Sequence, residues 1–253
     1  MSPPDLPRGG LFGKIPTTDD FIRRHLPLSF VTPWEGWIAR VLGGDGTVPR
    51  EIWNQRYLMS PPWRFALDPG VAGPCGWVGV LASSVDSFGR AFPLTLAVPF
   101  SRASGLLDLT EETHRLAGTL ETMALDLIGG DMPVDAAAEH IAAMRLAPPP
   151  ERHPVWRAVR GDAGRGSRVW VLTGRSHHSV GGAASDLLTG VLREKARGPA
   201  GLTCWWHEEW GDLPPANVLV QGLPSLETYV RMMDGAWTGD APAPRAFPSE
   251  APQ

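Results

Sequence analysis

Asp86 and Arg90 are the two residues whose types and spacing most clearly suggest a chemical role. They lie four positions apart in the run 84–96, with Gly89 between them, on a segment that the sequence indicates is a short turn. An acid and a guanidinium this close usually form an ion pair, and a two-pronged pair fixes a turn rigidly. The pair therefore serves either the structure of the turn or a binding surface, and the sequence leaves both open.

Two other motifs suggest catalysis, and neither is complete. Gly13 and Lys14 resemble part of a phosphate-binding loop, but the earlier glycine is missing and Ile15 replaces the hydroxyl residue. Ser83 and Ser84 have no nearby histidine, and the Gly-x-Ser-x-Gly elbow that exposes a nucleophilic serine is absent. We therefore expect neither nucleotide binding at this loop nor hydrolase chemistry.

The histidines give weak signals for a base or a metal site. His177 and His178 precede a glycine-containing stretch, but adjacent side chains point in different directions and no carboxylate or cysteine stands at ligand spacing. His207 is followed by Glu208 and Glu209 without the second histidine of a metalloprotease helix. We expect no metal, no cofactor and no enzymatic activity, and a weaker alternative is an enzyme that uses His177 or His178.

A binding role remains, and the chain is rich in a residue that anchors interfaces. It has 11 Trp against 2 Tyr, and Trp and Arg dominate binding energies at protein interfaces. The candidate partner-binding residues are Lys14, Asp20, Trp34, Trp63, Arg64, Asp86 and Arg90. The structural alternative places the tryptophans in the core and pairs the arginines internally with Asp86 or Asp20. We expect Arg90 to bind one of these two carboxylates and to hold the turn against the N-terminal loop.

The N-terminal segment is predicted to form a strand followed by a helix. The strand covers 11–15, and the spacing of Thr17 and Asp20 resembles a helix capping box. A helix should then begin near Thr18, place Phe21, Ile22 and Leu26 inward, and end at Pro27.

The rest of the chain alternates between apolar patterns of helical and strand period. The further helices are predicted over 33–42, 50–59, 110–128, 134–144, 184–196 and 225–233. The further strands are predicted over 63–67, 76–81, 92–98, 168–173, 202–207 and 217–221. Alternation of Phe92, Leu94 and Leu96 predicts one buried strand face, with Trp77 and Val80 of the preceding strand close by.

This order of elements is not a regular strand–helix–strand array. It predicts an α/β (α+β) fold with a mainly antiparallel or mixed central sheet flanked by helices. We expect a single domain over 1–234, because neither half has enough helices to cover both faces of a sheet. The segments 148–150 and 161–167 are its weakest points, and the Pro- and Ala-rich stretch 235–253 is predicted to be disordered.

Composition narrows the class of protein. The chain has 253 residues, 43% of them hydrophobic, and a net charge of −4 without a basic patch, so we expect no nucleic-acid partner. Cys75 and Cys204 lie in apolar surroundings and are predicted to be buried free thiols. The first residues contain prolines and Asp5 but no apolar run, so neither a secretory signal nor a membrane span is expected. A cytoplasmic location follows as the expectation.

Four blocks taken in order are similar to a known family. GLFGKIPTTDDFI at 10–22, FVTPW with Trp37 at 30–37, YLMSPPWRF at 57–65 and SVDSFGRAFPLTL at 84–96 resemble the N-terminal region of the TagF (ImpM) family of bacterial type VI secretion. The resemblance is tight over about the first hundred residues and looser beyond them.

The resemblance implies a post-translational negative regulator of type VI secretion. Such a protein binds a forkhead-associated scaffold protein of the system and thereby holds off assembly of the membrane complex, with which it associates only indirectly. The alternative is a structural or recruitment component that assists assembly. The predicted partner surface consists of the loop 14–20 and the turns at 61–62 and 86–90, and Lys14 is taken to be a flexible surface lysine.

Overall fold

Eight strands and five helices make up the part of the chain that the computed structural model describes, residues 6–44, 46, 49–100, 111–146, 169–173 and 201–237. The strands are β1 (Gly10–Gly13), β2 (Ile22–Arg24), β3 (Trp63–Leu67), β4 (Gly76–Ala82), β5 (Leu94–Phe100), β6 (Val169–Thr173), β7 (Leu202–His207) and β8 (Ala216–Gln221). The helices are α1 (Leu28–Gly43), α2 (Arg50–Met59), α3 (Glu111–Gly129), α4 (Val134–Ala143) and α5 (Leu226–Asp234).

All eight strands join one antiparallel sheet in the order β2-β1-β5-β4-β3-β7-β8-β6. The central pairing of β3 with β7, which places Phe65 opposite Trp205, connects strands from the two halves of the chain. The prediction of a single α+β domain with a mainly antiparallel sheet is therefore confirmed.

Helices cover both faces of the sheet. One face packs against α1, α2 and α5, in a core that includes Trp34, Trp37, Phe65, Trp77 and Trp205. The opposite face packs against α3 and α4, and its side chains alternate with those of the first face along each strand. Burial of both faces explains why the central strands read as continuous apolar runs.

The prediction of one buried face for the strand after Phe92 is therefore only partly correct. Leu94 and Leu96 lie on the α3/α4 face, where Val80 is the cross-strand neighbour of Leu96. Phe92 and Trp77 belong to the core on the opposite face. The strand begins at Leu94, so Phe92 lies before it, and the alternation of side chains along the strand does not apply to Phe92.

The helix predicted to begin near Thr18 is wrong. Ile22–Arg24 is the strand β2, which pairs with β1, and Phe21 is exposed. The Thr18 hydroxyl donates to the Asp20 carbonyl oxygen (3.1 Å) and also lies 3.4 Å from that of Ile15, so it stabilises a loop instead of capping a helix. Hydrogen bonds from β1 satisfy this backbone, which a sequence pattern confined to residues 17–27 cannot indicate.

Helix α1 begins at Leu28, five residues before the predicted start at Pro33. Pro33 lies inside the helix and lacks the N–H that would donate to the Ser29 carbonyl, one turn earlier. The extra turn buries Phe30 and Val31 in the core. The helix ends at Gly43 with Gly44 at positive φ, as the double glycine predicted.

The remaining described elements agree with the predictions to within two residues. α2, β3 and β7 have the predicted bounds, and α5 is capped by Ser225, whose hydroxyl accepts from the Thr228 amide. Cys75 and Cys204 are buried free thiols, as expected. The predicted helix 184–196 and the segments 148–150 and 161–167 lie outside the described residues.

The folded part extends slightly beyond the predicted boundary at residue 234. Gly235 ends α5 in the left-handed conformation, and the ring of Trp237 lies 6.3 Å from that of Trp63. The rest of the predicted tail, 238–253, lies outside the described residues. Within the described part of the chain, none of the helices is long and apolar enough to cross a bilayer.

Candidate functional site

The turn between β4 and β5 is organised around the carboxylate of Asp86. Its Oδ1 accepts from the backbone amides of Phe88 (3.0 Å) and Arg90 (2.9 Å). The Asp86 amide donates to the Arg90 carbonyl, and the Gly89 amide donates to the Asp86 carbonyl. Gly89 has φ +76°, a conformation that glycine adopts without steric cost, so the turn closes tightly.

The other oxygen of the same carboxylate binds two cations. Lys14 Nζ lies 2.9 Å from Asp86 Oδ2, and Arg90 Nε lies 2.6 Å from it. The side chains of Lys14 and Asp86 are 9% and 0% exposed, whereas that of Arg90 is 59% exposed. Asp86 therefore accepts four hydrogen bonds at the centre of a Lys–Asp–Arg triad.

The triad confirms one prediction and corrects another. Arg90 binds Asp86, as expected, and not Asp20, whose carboxylate accepts from the Phe21 amide. The description of Lys14 as a flexible surface lysine is wrong, because its ammonium is buried against Asp86 and lies 4.8 Å from the centre of the Phe21 ring. Lys14 supports the fold and has little surface to offer a partner.

Besides the Lys14–Asp86 bond, three hydrogen bonds fasten the N-terminal loop to this turn. Arg90 Nη2 donates to the Asp19 carbonyl (2.6 Å), and Ser87 Oγ donates to the Asp19 carboxylate (2.6 Å). The Ser87 amide donates to the carbonyl of Thr18 (3.0 Å). The loop 14–20 and the turn 86–90 thus form one rigid unit. This confirms the prediction that Arg90 holds the turn against the N-terminal loop.

The environment shifts the acidity of Asp86. Burial alone raises the pKa of its carboxyl group, but the hydrogen bonds from Lys14, from the Arg90 amide and from the Arg90 side chain, together with the charge of Lys14, outweigh burial. The net result is a pKa well below the usual range of an aspartate.

This lowered pKa predicts a pH-dependent contribution to stability. An aspartate in an unfolded chain has a pKa of about 3.9, so the folded state binds the Asp86 proton less readily. The stabilisation from ionised Asp86 is complete above about pH 5 and is lost progressively as the pH falls through the unfolded-state pKa and towards the lower folded-state pKa. The difference in urea midpoint between the wild type and Asp86→Asn should therefore shrink between about pH 5 and pH 2.5. A constant difference would contradict the assignment.

Trp34 and Trp63, two of the candidate partner-binding residues, lie in the core. Trp34 is 0% exposed and Trp63 is 2% exposed. Trp34 Nε1 donates to Thr95 Oγ1 (2.9 Å), and Trp63 Nε1 donates to the Met232 carbonyl (3.1 Å). Neither ring reaches the surface. Both tryptophans are therefore core residues, which was the structural alternative to a role in partner binding.

Arg64 also has an internal role, with partners that the sequence did not suggest. Its Nε lies 2.7 Å from Glu121 of α3, and its Nη1 lies 2.9 Å from Glu208, which follows β7. Arg64 therefore connects β3 to α3 through an ion pair. The expected pairing of Arg64 with Asp86 or Asp20 is therefore wrong.

The candidate segments lie at one end of the sheet, which we call the loop end. It consists of the loops 14–21, 83–93 and 208–215 and of the segment 58–62, which includes the end of α2 and leads into β3. Tyr57 fixes this arrangement, since its hydroxyl accepts from the Ser84 amide and donates to the Ser84 carbonyl, both at 2.8 Å. Pro61 and Pro62 are buried, so that turn supplies no surface, contrary to expectation. The preceding residues, Leu58 and Met59, are exposed.

Sequence reasoning missed the side chains that this end presents to solvent. Phe88 is 70% exposed at the tip of the turn, and its ring lies 5.2 Å from the Arg90 guanidinium. Phe21 is 43% exposed and stacks at 5.8 Å on Phe12. The available signal was a phenylalanine between Ser87 and Gly89, where a turn places its side chains outward.

The other potentially reactive groups have structural surroundings. His207 is buried with its ring 4.6 Å from that of Trp63, and burial lowers its pKa. No group of three or more His, Cys, Asp or Glu suited to a metal ion occurs within the described residues. A cavity of about 480 Å³ at the opposite end of the sheet is lined by Trp37, Val71 and Leu223 but by none of the candidate residues. His177 and His178 lie outside the described residues.

Comparison with known proteins gives a family match and a structural match. Residues 10–144 match the family model of the TagF N-terminal domain, type VI secretion system-associated. The crystal structure of PA0076 from Pseudomonas aeruginosa PAO1 is similar to this fold, with a TM-score of 0.62 and 24% identity over 96% of this chain and 100% of that one. No curated protein matches the sequence. All seven candidate residues lie within the matched segment.

Proposed function

The chain belongs to the TagF N-terminal domain family of type VI secretion system-associated proteins, and on that basis we propose that it is a non-enzymatic, post-translational repressor of secretion. In this proposal it binds a forkhead-associated scaffold protein of the system and thereby prevents assembly of the membrane complex. It does so in the cytoplasm, and its association with the membrane is indirect, through the scaffold.

The observation that carries the proposal is the rigid surface at the loop end. Asp86 holds Lys14 and Arg90 at 2.9 and 2.6 Å, and Arg90 and Ser87 in turn hold the N-terminal loop through Asp19. Two segments that are distant in sequence therefore keep one shape. A surface that is ordered before binding loses little conformational entropy when a partner docks.

The roles of the charged side chains support binding over catalysis. Lys14 and Arg90 both bond to Asp86, and Arg64 bonds to Glu121. Groups that are engaged in this way stabilise the fold and are poorly placed to exchange protons with a substrate.

The experiment that tests repression compares secretion after deletion and after overproduction of the protein. A repressor predicts increased release of a secreted substrate in the deletion strain and decreased release on overproduction. An assembly component predicts loss of secretion on deletion, and that result would establish the alternative function. Binding is measured separately, by titrating the purified full chain with the purified forkhead-associated scaffold, and no binding at micromolar concentrations would contradict the proposed partner.

A further inference from the structure

Exposed apolar side chains are concentrated at the loop end. Within the described part of the chain, nine large hydrophobic residues are exposed, and the five at this end are Phe21 (43%), Leu58 (54%), Met59 (50%), Phe88 (70%) and Trp210 (36%). Single exposed apolar residues are common, but several gathered on one face mark an interaction site. Leu28, 64% exposed, lies at the opposite end of the sheet, where α1 begins.

The topology of the sheet places these side chains at the same end of the molecule. Phe21 lies in the β1–β2 loop, Phe88 in the β4–β5 turn, and Leu58 and Met59 at the end of α2, which leads into β3. The β1–β5, β5–β4 and β4–β3 pairs are antiparallel, so all three segments reach the same end of the sheet. Trp210 lies in the β7–β8 connection, which is at that end as well.

The two phenylalanines are held in place by the core and by the ion triad. The Phe21 ring packs on Phe92 with centroids 4.7 Å apart. The Phe88 amide bonds to Asp86, and its ring contacts the Arg90 guanidinium. Rigid aromatic side chains of this kind contribute large contact areas at small cost in entropy, as the anchors of interfaces do.

The charges around these apolar side chains are mainly acidic. The loop-end segments 14–21, 58–62, 83–93 and 208–215 contain six acidic residues (Asp19, Asp20, Asp86, Glu208, Glu209 and Asp212) and two basic residues (Lys14 and Arg90). Both basic residues bond to Asp86, which leaves the triad with one excess positive charge. The other five carboxylates of these segments outnumber it, even though Glu208 bonds to Arg64. Asp19, Asp20 and Glu209 are exposed. The border of the surface therefore carries net negative charge.

We infer that the loop end is a docking surface for a folded protein domain whose contact face is apolar and bordered by lysine and arginine. Phe88 and Phe21 are the anchors, and Asp20 and Glu209 are the acidic border. This inference rests on the proposed function, since the forkhead-associated scaffold is the expected carrier of that face. A second copy of this chain is the less favoured occupant, because a two-fold contact would place one acidic border against the other.

The test measures the affinity of the purified full chain for the forkhead-associated scaffold by isothermal titration calorimetry. Phe88→Glu places a charge at the centre of the surface and should weaken binding by about tenfold or more. Phe88→Ala should weaken it in the same direction. The matched control is Leu28→Glu, at an apolar residue of similar exposure (64% against 70%) at the opposite end, and this variant should bind as the wild type does. All three variants should melt within about 2 °C of the wild type, because exposed positions contribute little to stability.

The acidic border is tested by Asp20→Asn and Glu209→Gln, singly and together. The amide group introduced by Asp20→Asn retains an oxygen that can accept from the Phe21 amide, so the loop is expected to keep its shape. The double variant should bind severalfold more weakly at about 50 mM salt and should lose part of the salt dependence that the wild type shows between about 50 and 300 mM.

Three outcomes would overturn this inference. If the wild type binds the scaffold and Phe88→Glu binds equally well, the docking surface is wrong while the proposed function stands. If Phe88→Glu abolishes self-association and leaves scaffold binding intact, the occupant is a second copy. If the wild type does not bind the scaffold at all, the proposed function fails and this inference fails with it.

Discussion

Lys14→Glu is expected to lower the melting temperature by more than about 10 °C. Its carboxylate would replace the ammonium that lies 2.9 Å from the buried Asp86 oxygen, and two like charges would then share a site closed to water. Removal of one partner from a buried ion pair already costs several kcal/mol in other proteins, and 1 kcal/mol corresponds to about 2–4 °C for a chain of this size.

Two further variants separate the charge from the side chain. Lys14→Met keeps an unbranched apolar side chain at this position and removes the charge that lies 4.8 Å from the centre of the Phe21 ring. Its decrease in melting temperature should therefore be smaller than that of Lys14→Glu. Arg23→Glu reverses an exposed charge on the adjacent strand β2 and should change the melting temperature by no more than about 2 °C. If the Lys14→Glu variant has the same melting temperature as the wild type, the Lys14–Asp86 pair does not form.

Trp34→Ala is expected to destabilise the protein by about 3–5 kcal/mol. The Trp34 ring packs within 5.2 Å of Phe30, 4.9 Å of Trp37, 4.9 Å of Phe65 and 5.9 Å of Trp205, measured between centroids. Its removal leaves a cavity at the centre of the α1 face of the sheet, where close packing leaves little room to collapse. Urea unfolding followed by circular dichroism measures the loss.

The hydrogen bond of Trp34 is tested separately from its packing. Thr95→Val removes the hydroxyl that accepts from the buried indole N–H and should cost about 1–3 kcal/mol, because that donor is then left without a partner. A variant Trp34→Ala that unfolds like the wild type but no longer binds the scaffold would instead move Trp34 from the core to an interface. Such a result would contradict the burial described above.

Features that depend on neighbours in sequence were predictable. The bounds of α2, β3 and β7 follow from apolar periods and from flanking Pro and Gly, which act over a few residues. The pairing of Arg90 with Asp86 followed in the same way, since the two residues lie in one turn. Burial of the tryptophans was the structural alternative that the sequence already contained.

Features that depend on residues distant in the sequence were not predictable. Lys14 is buried because it meets an aspartate 72 positions away, and Arg64 is paired because Glu121 and Glu208 lie 57 and 144 positions away. The segment 22–24 is a strand because β1 offers it hydrogen bonds, although its own pattern favours a helix.

Local sequence was enough to establish most kinds of element, the antiparallel sheet and the family to which the chain is similar. Periods and turn residues carry that information, and each acts within about ten residues. Which charged residues are buried and which aromatic residues face solvent became known from the three-dimensional structure alone. Burial and exposure are properties of the packed sheet, set when β1, β4 and β5 align and bring Lys14, Asp86, Phe21 and Phe88 to the same end. For this reason the inferred partner surface is carried by phenylalanines, whereas the lysine chosen from the sequence holds the fold.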